Sequence, residues 1–149
     1  MADQGRGRAA VSSPKNYVLD EQIGFVLRKA NQRHIAIFAK HIGELTPPQF
    51  AALAKLDEVG ETSQNQLGTL VAMDGATIKG VIDRLCSRGL VALGKHEDDR
   101  RRLMVSLTDT GREAVTRLKR MAADISAETV APLTPDETAT LMRLLSRIS

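Results

Sequence analysis

The sequence contains few cysteines and few aromatic residues. The first scarcity excludes certain structural sites, and the second favours one fold class. The sequence has one cysteine, Cys86, so a single chain can form neither an internal disulfide nor a zinc site built from several cysteines. Aromatic residues make up 3% of the chain and Trp is absent, which predicts an aliphatic core and favours helices over a β-sandwich. No apolar run approaches the roughly 18 residues of a membrane-spanning helix, and the N-terminus lacks the apolar core of a signal peptide. We therefore expect a cytoplasmic protein with no membrane partner.

The charged residues are unevenly distributed along the 149 residues, a length that suits one domain. The net charge is only +3. Residues 74–120, however, contain 11 Lys or Arg against 7 Asp or Glu, whereas residues 19–73 contain 5 against 6 and residues 121–149 contain 2 against 4. The weak total therefore conceals a basic central segment, which is compatible with nucleic acid as a partner.

Hydrophobic spacing and capping residues predict a mostly helical chain. Residues 1–18 are rich in Gly, Ser, Ala and Arg without periodicity, and we expect them to form a flexible arm. A long helix over 19–45 carries an apolar stripe too long for one small core, which suggests a second subunit. Helix-start signals at Thr46-Pro47, at Thr62 or Ser63, and at Asp74 then introduce three short helices. These helices are predicted at residues 47–59, 63–73 and 75–87.

Two short apolar runs, 90–93 and 103–107, flank a charged segment and predict a β-hairpin with a long basic tip. Helices over 110–130 and from Pro135 onward complete the chain. The predicted fold class is mainly α with a small β-hairpin wing (α+β), a winged helix-turn-helix. The winged helix-turn-helix would occupy residues 46–109 of a single domain, 19–149, and the dimerisation helices would occupy residues 19–45 and 110–149. In such a module the second helix of the pair enters the major groove of DNA and the wing lies along a minor groove.

The helix predicted at 75–87 has an exposed face of small and hydrogen-bonding residues, and its small first turn would allow close approach to base edges. The residues on that face are Gly75, Ala76, Thr77, Lys79, Gly80, Asp83 and Arg84. A simpler alternative remains at two of these positions. Thr77 could satisfy its own helix backbone, and Asp83 could form an internal ion pair with Arg84.

Two stretches, 83–91 and 98–111, resemble the multiple antibiotic resistance regulator (MarR) family of bacterial transcription factors. They contain Asp-Arg-Leu before Gly-Leu-Val, then Asp-Arg-Arg in the wing, then Leu-Thr-x-x-Gly at the next helix start, in that order. The resemblance extends from Leu19 to Ser149. It implies a homodimer, formed by the first and last two helices, that reads a palindrome in double-stranded DNA.

The resemblance also implies roles for individual residues. Thr77 and Lys79 would contact bases, and Ser63 and Gln64 would contact phosphates. Asp99 would orient the arginines of the wing, and the wing and helix residues expected on DNA are Arg84, Arg100, Arg101 and Arg102. Without that context an arginine triplet on a hairpin is more often a solvated loop than a contact with DNA. The sequence departs from the family pattern at Gly80, where a larger polar residue is common, and at His96, where an acid often begins the wing.

The first helix carries two histidines, His34 and His41, on its apolar stripe. Buried polar groups need partners, so these two histidines could form a pair that is hydrogen-bonded across a dimer. In the resembled family, small aromatic acids and phenols are frequent effectors. That implies a small aromatic carboxylate held by His34 and Arg33, whose binding would release DNA. The residues expected around this effector are Asn31, Arg33, His34, Phe38 and His41.

Other functions fit the sequence less well. Cys86 could make the regulator redox-responsive, but it lies on a packed helix without a second cysteine, which favours a buried structural role. The two helix histidines are about 10.5 Å apart along the axis, too far to share one ion, so we expect neither a metal site nor a cofactor. The sequence shows neither a paired nucleophile and base nor a phosphate-binding glycine loop, so it gives no indication of an enzyme. A constitutive DNA-binding factor without effector remains an alternative, and a fully filled interior near His34 would favour it.

Overall fold

The computed structural model describes residues 16–149, so the flexible arm predicted at 1–18 lies largely outside the described residues. The chain divides into two units, one ending at Arg33 and the other running from His34 to Ser149. The boundary falls inside helix α1 (Ile23–His41), which belongs partly to each unit.

The first unit contains a short 3-10 turn, Leu19–Glu21, and the beginning of α1. The predicted helix begins at Leu19, whereas Gln22 is extended at φ −86° and ψ 132° and separates the turn from α1. The Gln22 side chain donates a hydrogen bond to the carbonyl oxygen of Val18 at 3.0 Å. Large apolar side chains of this unit are exposed, namely Leu19, Ile23, Val26 and Leu27.

The second unit contains the end of α1 and all later elements. In chain order they are α2 (Pro47–Val59), β1 (Thr62–Ser63), α3 (Gln64–Leu70), α4 (Gly75–Ser87), β2 (Val91–Lys95), β3 (Leu103–Leu107), α5 (Asp109–Thr129) and α6 (Pro135–Ile148). The predicted fold class is confirmed, since the described chain is mostly helical with one small antiparallel sheet.

Side-chain caps explain why these helices begin where they do. Each capping hydroxyl or carboxylate accepts a hydrogen bond from a backbone N–H of the first turn, which typically stabilises a helix by about 1 kcal/mol. The observed N-caps are Thr46, Ser63, Asp74, Thr108 and Thr134. Thr46, Ser63 and Asp74 are among the helix-start positions that the sequence predicts, with Ser63 rather than Thr62 capping α3.

The sheet has the strand order β1-β3-β2 and is antiparallel throughout. Strand β1 is an element that the sequence analysis missed, because two residues carry no detectable alternation; Thr62 pairs with Val105 and Ser63 with Met104. The predicted first strand of the hairpin is also too short. Gly94 and Lys95 continue the ladder opposite β3, so the loop at the tip of the wing begins at His96.

Two helices end earlier than predicted. Helix α1 ends at His41 rather than near Leu45, because the segment before Pro47 must leave the helical region so that Thr46 can cap α2. Helix α3 ends at Leu70 rather than Met73, since Ala72 has a φ of 56°, in the left-handed region. This turn carries the chain into α4.

The core of the second unit holds α4 in place. Ile78, Ile82 and Leu85 of α4 are almost fully buried, and each contributes roughly 1.5–3 kcal/mol through removal from water. They belong to one apolar cluster with Leu53 of α2 and Val105 of β3. The opposite face of α4 is thereby kept at the surface.

Helix α6 is amphipathic but has no buried residue among those described. Its exposed large apolar side chains are Leu141, Met142, Leu144 and Ile148. The structure of the single chain leaves this apolar face open to solvent.

Candidate nucleic-acid interface and ligand cavity

Helix α4 presents the side chains that the sequence predicts for contact with bases. Asp74 accepts a hydrogen bond from the backbone N–H of Thr77 at 2.7 Å, and this bond lowers the pKa of Asp74. Thr77, Lys79 and Arg84 are all exposed. The Asp83 carboxylate lies 2.8 Å from Lys79 Nζ and raises the pKa of Lys79. The ion pair on this face therefore joins Asp83 to Lys79 rather than to Arg84.

The start of α3 faces the wing across a polar cavity of about 350 Å³. Ser63 and Gln64 line this cavity together with Arg101 and Arg102, although the two pairs are distant in sequence. Ser63 is buried, and its hydroxyl accepts a hydrogen bond from the N–H of Gln66 at 3.1 Å. Hydrogen-bond donors and positive charge thus surround one space that can accept an anionic oxygen such as a DNA phosphate.

A compact turn shapes the tip of the wing. The Asp99 carboxylate accepts a hydrogen bond from the backbone N–H of Arg101 at 3.0 Å, and the Asp99 carbonyl accepts one from Arg102 at 3.0 Å. His96 Nδ1 accepts a hydrogen bond from the backbone N–H of Asp98 at 3.1 Å. Asp99 therefore orders the backbone of the turn rather than a guanidinium group. This leaves the side chains of Arg100, Arg101 and Arg102 exposed.

A second cavity, of about 420 Å³, lies between the end of α1, the start of α2 and the end of α4. Its apolar wall includes Ile35, Phe38 and Ile42, and its polar rim includes Arg84 and Arg88. Arg84 lies in the last turn of α4 and Arg88 is the C-cap four residues later, so the two arginines project from the same side one turn apart. We call this space the α1/α4 cavity. Its combination of an aromatic wall and two guanidinium groups suits a small aromatic anion.

Glu44, in the connection between α1 and α2, is held by two arginines. Its carboxylate accepts a hydrogen bond from Arg117 Nη1 of α5 at 2.8 Å and lies 3.9 Å from Arg88 Nη2. The hydrogen bond from Arg117, assisted by the charges of Arg117 and Arg88, lowers the pKa of Glu44. Arg88 also donates to the backbone carbonyl of Glu44. This cluster could not be predicted from the sequence, because its three residues are brought together only by folding.

The two predicted effector histidines contact the end of α5 in the same chain. His34 Nδ1 lies 2.9 Å from Thr129 Oγ1, and His41 Nε2 lies 2.6 Å from the Glu128 carboxylate. Lys40 approaches the other oxygen of Glu128 at 3.1 Å. Of the predicted effector residues from His34 onward, Phe38 is the one that lines the α1/α4 cavity.

The remaining predicted effector residues, Asn31 and Arg33, lie on α1 in the first unit. Neither Glu128 nor Thr129 stood out in the sequence, because a single Glu-Thr pair near a helix end carries no signal of a long-range partner. Their contacts with His34 and His41 satisfy the polar groups of the α1 stripe within one chain.

Glu128→Gln is expected to destabilise the protein at neutral pH and to have little effect in acid. Hydrogen bonds from His41 and Lys40 hold the pKa of Glu128 below its ordinary value of 4.5. Its contribution is therefore present above that value and is lost as pH falls through the lower folded-state pKa. Urea unfolding of both proteins near pH 7 and near pH 3 measures the difference at each end of this range.

The control for this comparison is Glu113→Gln, which removes an exposed carboxylate of α5 that forms no ion pair within residues 16–149. An equal loss of stability for Glu128→Gln at both pH values would contradict the assigned role of its charge.

Cys86 and the metal-ligating side chain types are the remaining candidate groups in the described part of the chain. Cys86 is half-buried, and burial together with the charge of Asp83 raises the pKa of its thiol, which disfavours the reactive thiolate. Within residues 16–149, no three His, Cys, Asp or Glu side chains cluster as metal ligands would. None of the described helices combines the length and apolar character needed to span a bilayer.

Comparison with known proteins places this geometry in a family. The sequence profile of the MarR family matches residues 45–103, which include α2, α3, α4 and most of the hairpin. The HTH-type transcriptional repressor NicR of Pseudomonas putida is 37% identical over 134 residues, which cover 89% of this chain and 85% of NicR. The chain belongs to the MarR family. It is thus a transcriptional repressor built on a DNA-binding winged helix-turn-helix, in a family of regulators rather than enzymes.

Solved structures of MarR-family regulators superpose closely on this MarR-family chain. A probable transcriptional regulator from Pseudomonas aeruginosa is 52% identical, with a TM-score of 0.85, over 89% of this chain and 100% of that one. BpsR of Bordetella bronchiseptica is 38% identical, also with a TM-score of 0.85, over 89% of this chain and 96% of BpsR. The BpsR structure concerns regulation of its DNA binding by 6-hydroxynicotinic acid.

Proposed function

We propose that this MarR-family repressor binds a palindromic operator as a homodimer and releases it when a small aromatic carboxylate occupies the α1/α4 cavity. One observation carries the proposal: helix α4 exposes Thr77 and Lys79 on one part of its surface and lines the cavity with Arg84 near its other end. A ligand that shifts the end of α4 would therefore shift its reading face as well.

The proposed DNA contacts follow from the exposed groups of the winged module. Thr77 and Lys79 would reach base edges from the first turns of α4, with Arg84 further along the same helix. Ser63 and Gln64 would hold a phosphate in the cavity that they share with the wing arginines. Arg100 to Arg102 would enter the adjacent minor groove, where the negative potential attracts guanidinium groups.

A homodimer would cover the apolar side chains that the single chain leaves exposed. In the second unit these belong to α6, where Met142 is 57% and Ile148 is 66% exposed. In the first unit they include Ile23, also 66% exposed. Burying such side chains against a second copy removes apolar surface from water, which is the main driving force for obligate association. Two copies would also double the basic surface available to DNA.

The chemistry of the α1/α4 cavity suggests the class of effector. Phe38 is buried and supplies a flat apolar wall against which an aromatic ring can stack. Arg84 and Arg88 at the rim can bind a carboxylate through paired N–H donors. The relative BpsR, whose DNA binding is regulated by 6-hydroxynicotinic acid, supports an aromatic carboxylate of similar size. We therefore propose that these two arginines bind the carboxylate of the effector, with Arg33 and His34 as the alternative binding residues.

The test begins with an operator selected from a random DNA library by the purified protein. Fluorescence anisotropy of the labelled operator complex is then followed during titration with 6-hydroxynicotinate and benzoate. We expect release of DNA by at least one aromatic carboxylate, and none by the neutral 6-hydroxynicotinamide or by the non-aromatic cyclohexanecarboxylate. An operator complex that resists every aromatic acid would refute the effector and favour a constitutive DNA-binding factor.

Selection also tests the symmetry of the operator. A dimer with one winged module per subunit predicts two inverted half-sites with centres about 10 base pairs, or a multiple of that, apart. Selected sequences without inverted symmetry would contradict the homodimer.

A further inference from the structure

Glu44 and Arg88, which form an ion pair, line two neighbouring cavities of the second unit. Glu44, Leu45 and Arg88 line the α1/α4 cavity and also line a neighbouring cavity of about 440 Å³. Leu90, Ala114 and Arg117 line the neighbouring cavity but not the α1/α4 cavity. The carboxylate of Glu44 therefore lies beside the space in which the proposed effector would bind.

Glu44 is bound unequally by its two arginines. The hydrogen bond from Arg117 to the Glu44 carboxylate is 2.8 Å long, whereas Arg88 Nη2 lies 3.9 Å from that carboxylate, near the limit of an ion pair. Arg88 and Glu44 are both about two-fifths exposed, so this contact is also weakened by solvent. Of the two contacts, the one with Arg88 is therefore the easier to exchange.

Arg88 directly follows the last residue of α4, the helix proposed to contact bases. It is the C-cap of α4, and its guanidinium also donates to the backbone carbonyl of Glu44, in the connection between α1 and α2. The carboxylate and the backbone of Glu44 thus tether the end of α4 to this connection. A change at Arg88 would alter how the end of α4 is held.

We propose that Glu44 acts as an internal carboxylate that occupies Arg88 in the ligand-free protein and is displaced from it by the carboxylate of the effector. Glu44 would then keep its bond to Arg117 while Arg88 turns to the ligand. This exchange rests on the proposed effector site, and it specifies how that site is connected to α4. Glu44 is a positioning residue in this scheme, since it acts through Arg88 and does not itself hold the ligand or DNA.

The exchange makes a directional prediction. Glu44→Gln removes the competing charge but keeps the size of the side chain, so the variant is expected to bind 6-hydroxynicotinate about threefold more tightly in the absence of DNA. Its affinity for neutral 6-hydroxynicotinamide is expected to be unchanged. Isothermal titration calorimetry of the full chain measures both affinities.

The matched control is Glu113→Gln. Glu113 lines the neighbouring cavity, and among residues 16–149 it forms no ion pair with Arg88. Glu113→Gln removes one negative charge from the same region as Glu44→Gln does. If both variants bind the carboxylate equally more tightly, a general field effect explains the change and the exchange is refuted.

Arg117→Gln supplies a second test that does not depend on the folding of Glu44→Gln. Without Arg117, the Glu44 carboxylate interacts with Arg88 alone and competes better with the ligand for Arg88. The Arg117→Gln variant should therefore bind 6-hydroxynicotinate more weakly than the Arg120→Gln variant does. Arg120 is an exposed arginine of α5 that forms no ion pair within the described chain. Equal affinities for these two variants would overturn the exchange.

The experiment separates the two proposals. Wild-type protein that binds the carboxylate and releases operator, with affinity unaltered by Glu44→Gln, refutes the exchange and leaves the proposed function intact. Wild-type protein that binds no aromatic carboxylate refutes both the effector and the exchange.

Discussion

Replacing Gly111 by alanine is expected to destabilise the protein by about 3 kcal/mol, because the added Cβ has no space. It would overlap the carbonyl oxygen of Leu90 and lie 3.0 Å from the carbonyl carbon. Both are backbone atoms, which cannot turn aside as a side chain can. Thr108 fixes this junction further, since its hydroxyl donates to the carbonyl of Gly89 at 2.6 Å and its N–H donates to that of Leu90 at 3.1 Å. Urea unfolding measures the loss.

Gly80→Ala is the matched control for this substitution. An alanine Cβ at position 80 of α4 would have no neighbour within 4 Å. Because alanine is favoured over glycine inside a helix, the control should gain about 0.5–1 kcal/mol. Gly111→Ala with the unfolding midpoint of the wild type would show that the close packing of α5 against Leu90 is incorrect.

Arg101→Ala in the wing is expected to weaken operator binding about tenfold and to reduce the slope of log affinity against log salt by about 1. The backbone N–H of Arg101 donates a hydrogen bond to Asp99. The side chain of Arg101 is exposed and lines the same cavity as Ser63 and Gln64. An arginine that neutralises a phosphate or enters a narrow minor groove releases counterions from DNA, and its removal eliminates that release. Anisotropy titrations of the selected operator at several salt concentrations measure both quantities.

Arg120→Ala provides the comparison for the wing substitution, since it removes the same charge from an exposed site on α5. It should leave the salt slope nearly unchanged. If Arg101→Ala and Arg120→Ala weakened binding equally, the wing would contribute only net charge, as the solvated-loop alternative states.

The parts of the fold that local chemistry determines could be predicted from the sequence. Helix α4 was predicted with the bounds that the structure shows, because Asp74 caps its start and Gly89, with a φ of 70°, follows its end. Strand β1 could not be predicted, since it exists only through pairing with β3. Likewise, the need for glycine at position 111 follows from the position of Leu90 and not from any local signal.

The candidate site divides in the same way. The exposed residues of α4 and the wing were predicted because helical and hairpin periodicity determine which side chains face outward. The α1/α4 cavity could not be predicted, since it depends on how the end of α4 approaches α1 and α2. The polar partners of His34 and His41 could not be predicted for the same reason, because Thr129 is 95 residues from His34 and Glu128 is 87 residues from His41 in sequence.

The central claim is that effector binding and DNA binding oppose each other through α4, and reciprocal linkage tests it most directly. Calorimetric titration of 6-hydroxynicotinate into free protein and into the operator complex gives the factor by which DNA weakens ligand binding. Operator titrations with and without saturating ligand give the factor by which the ligand weakens DNA binding. The account predicts two equal factors, each about tenfold or more. Ligand affinity that is identical with and without operator would contradict it.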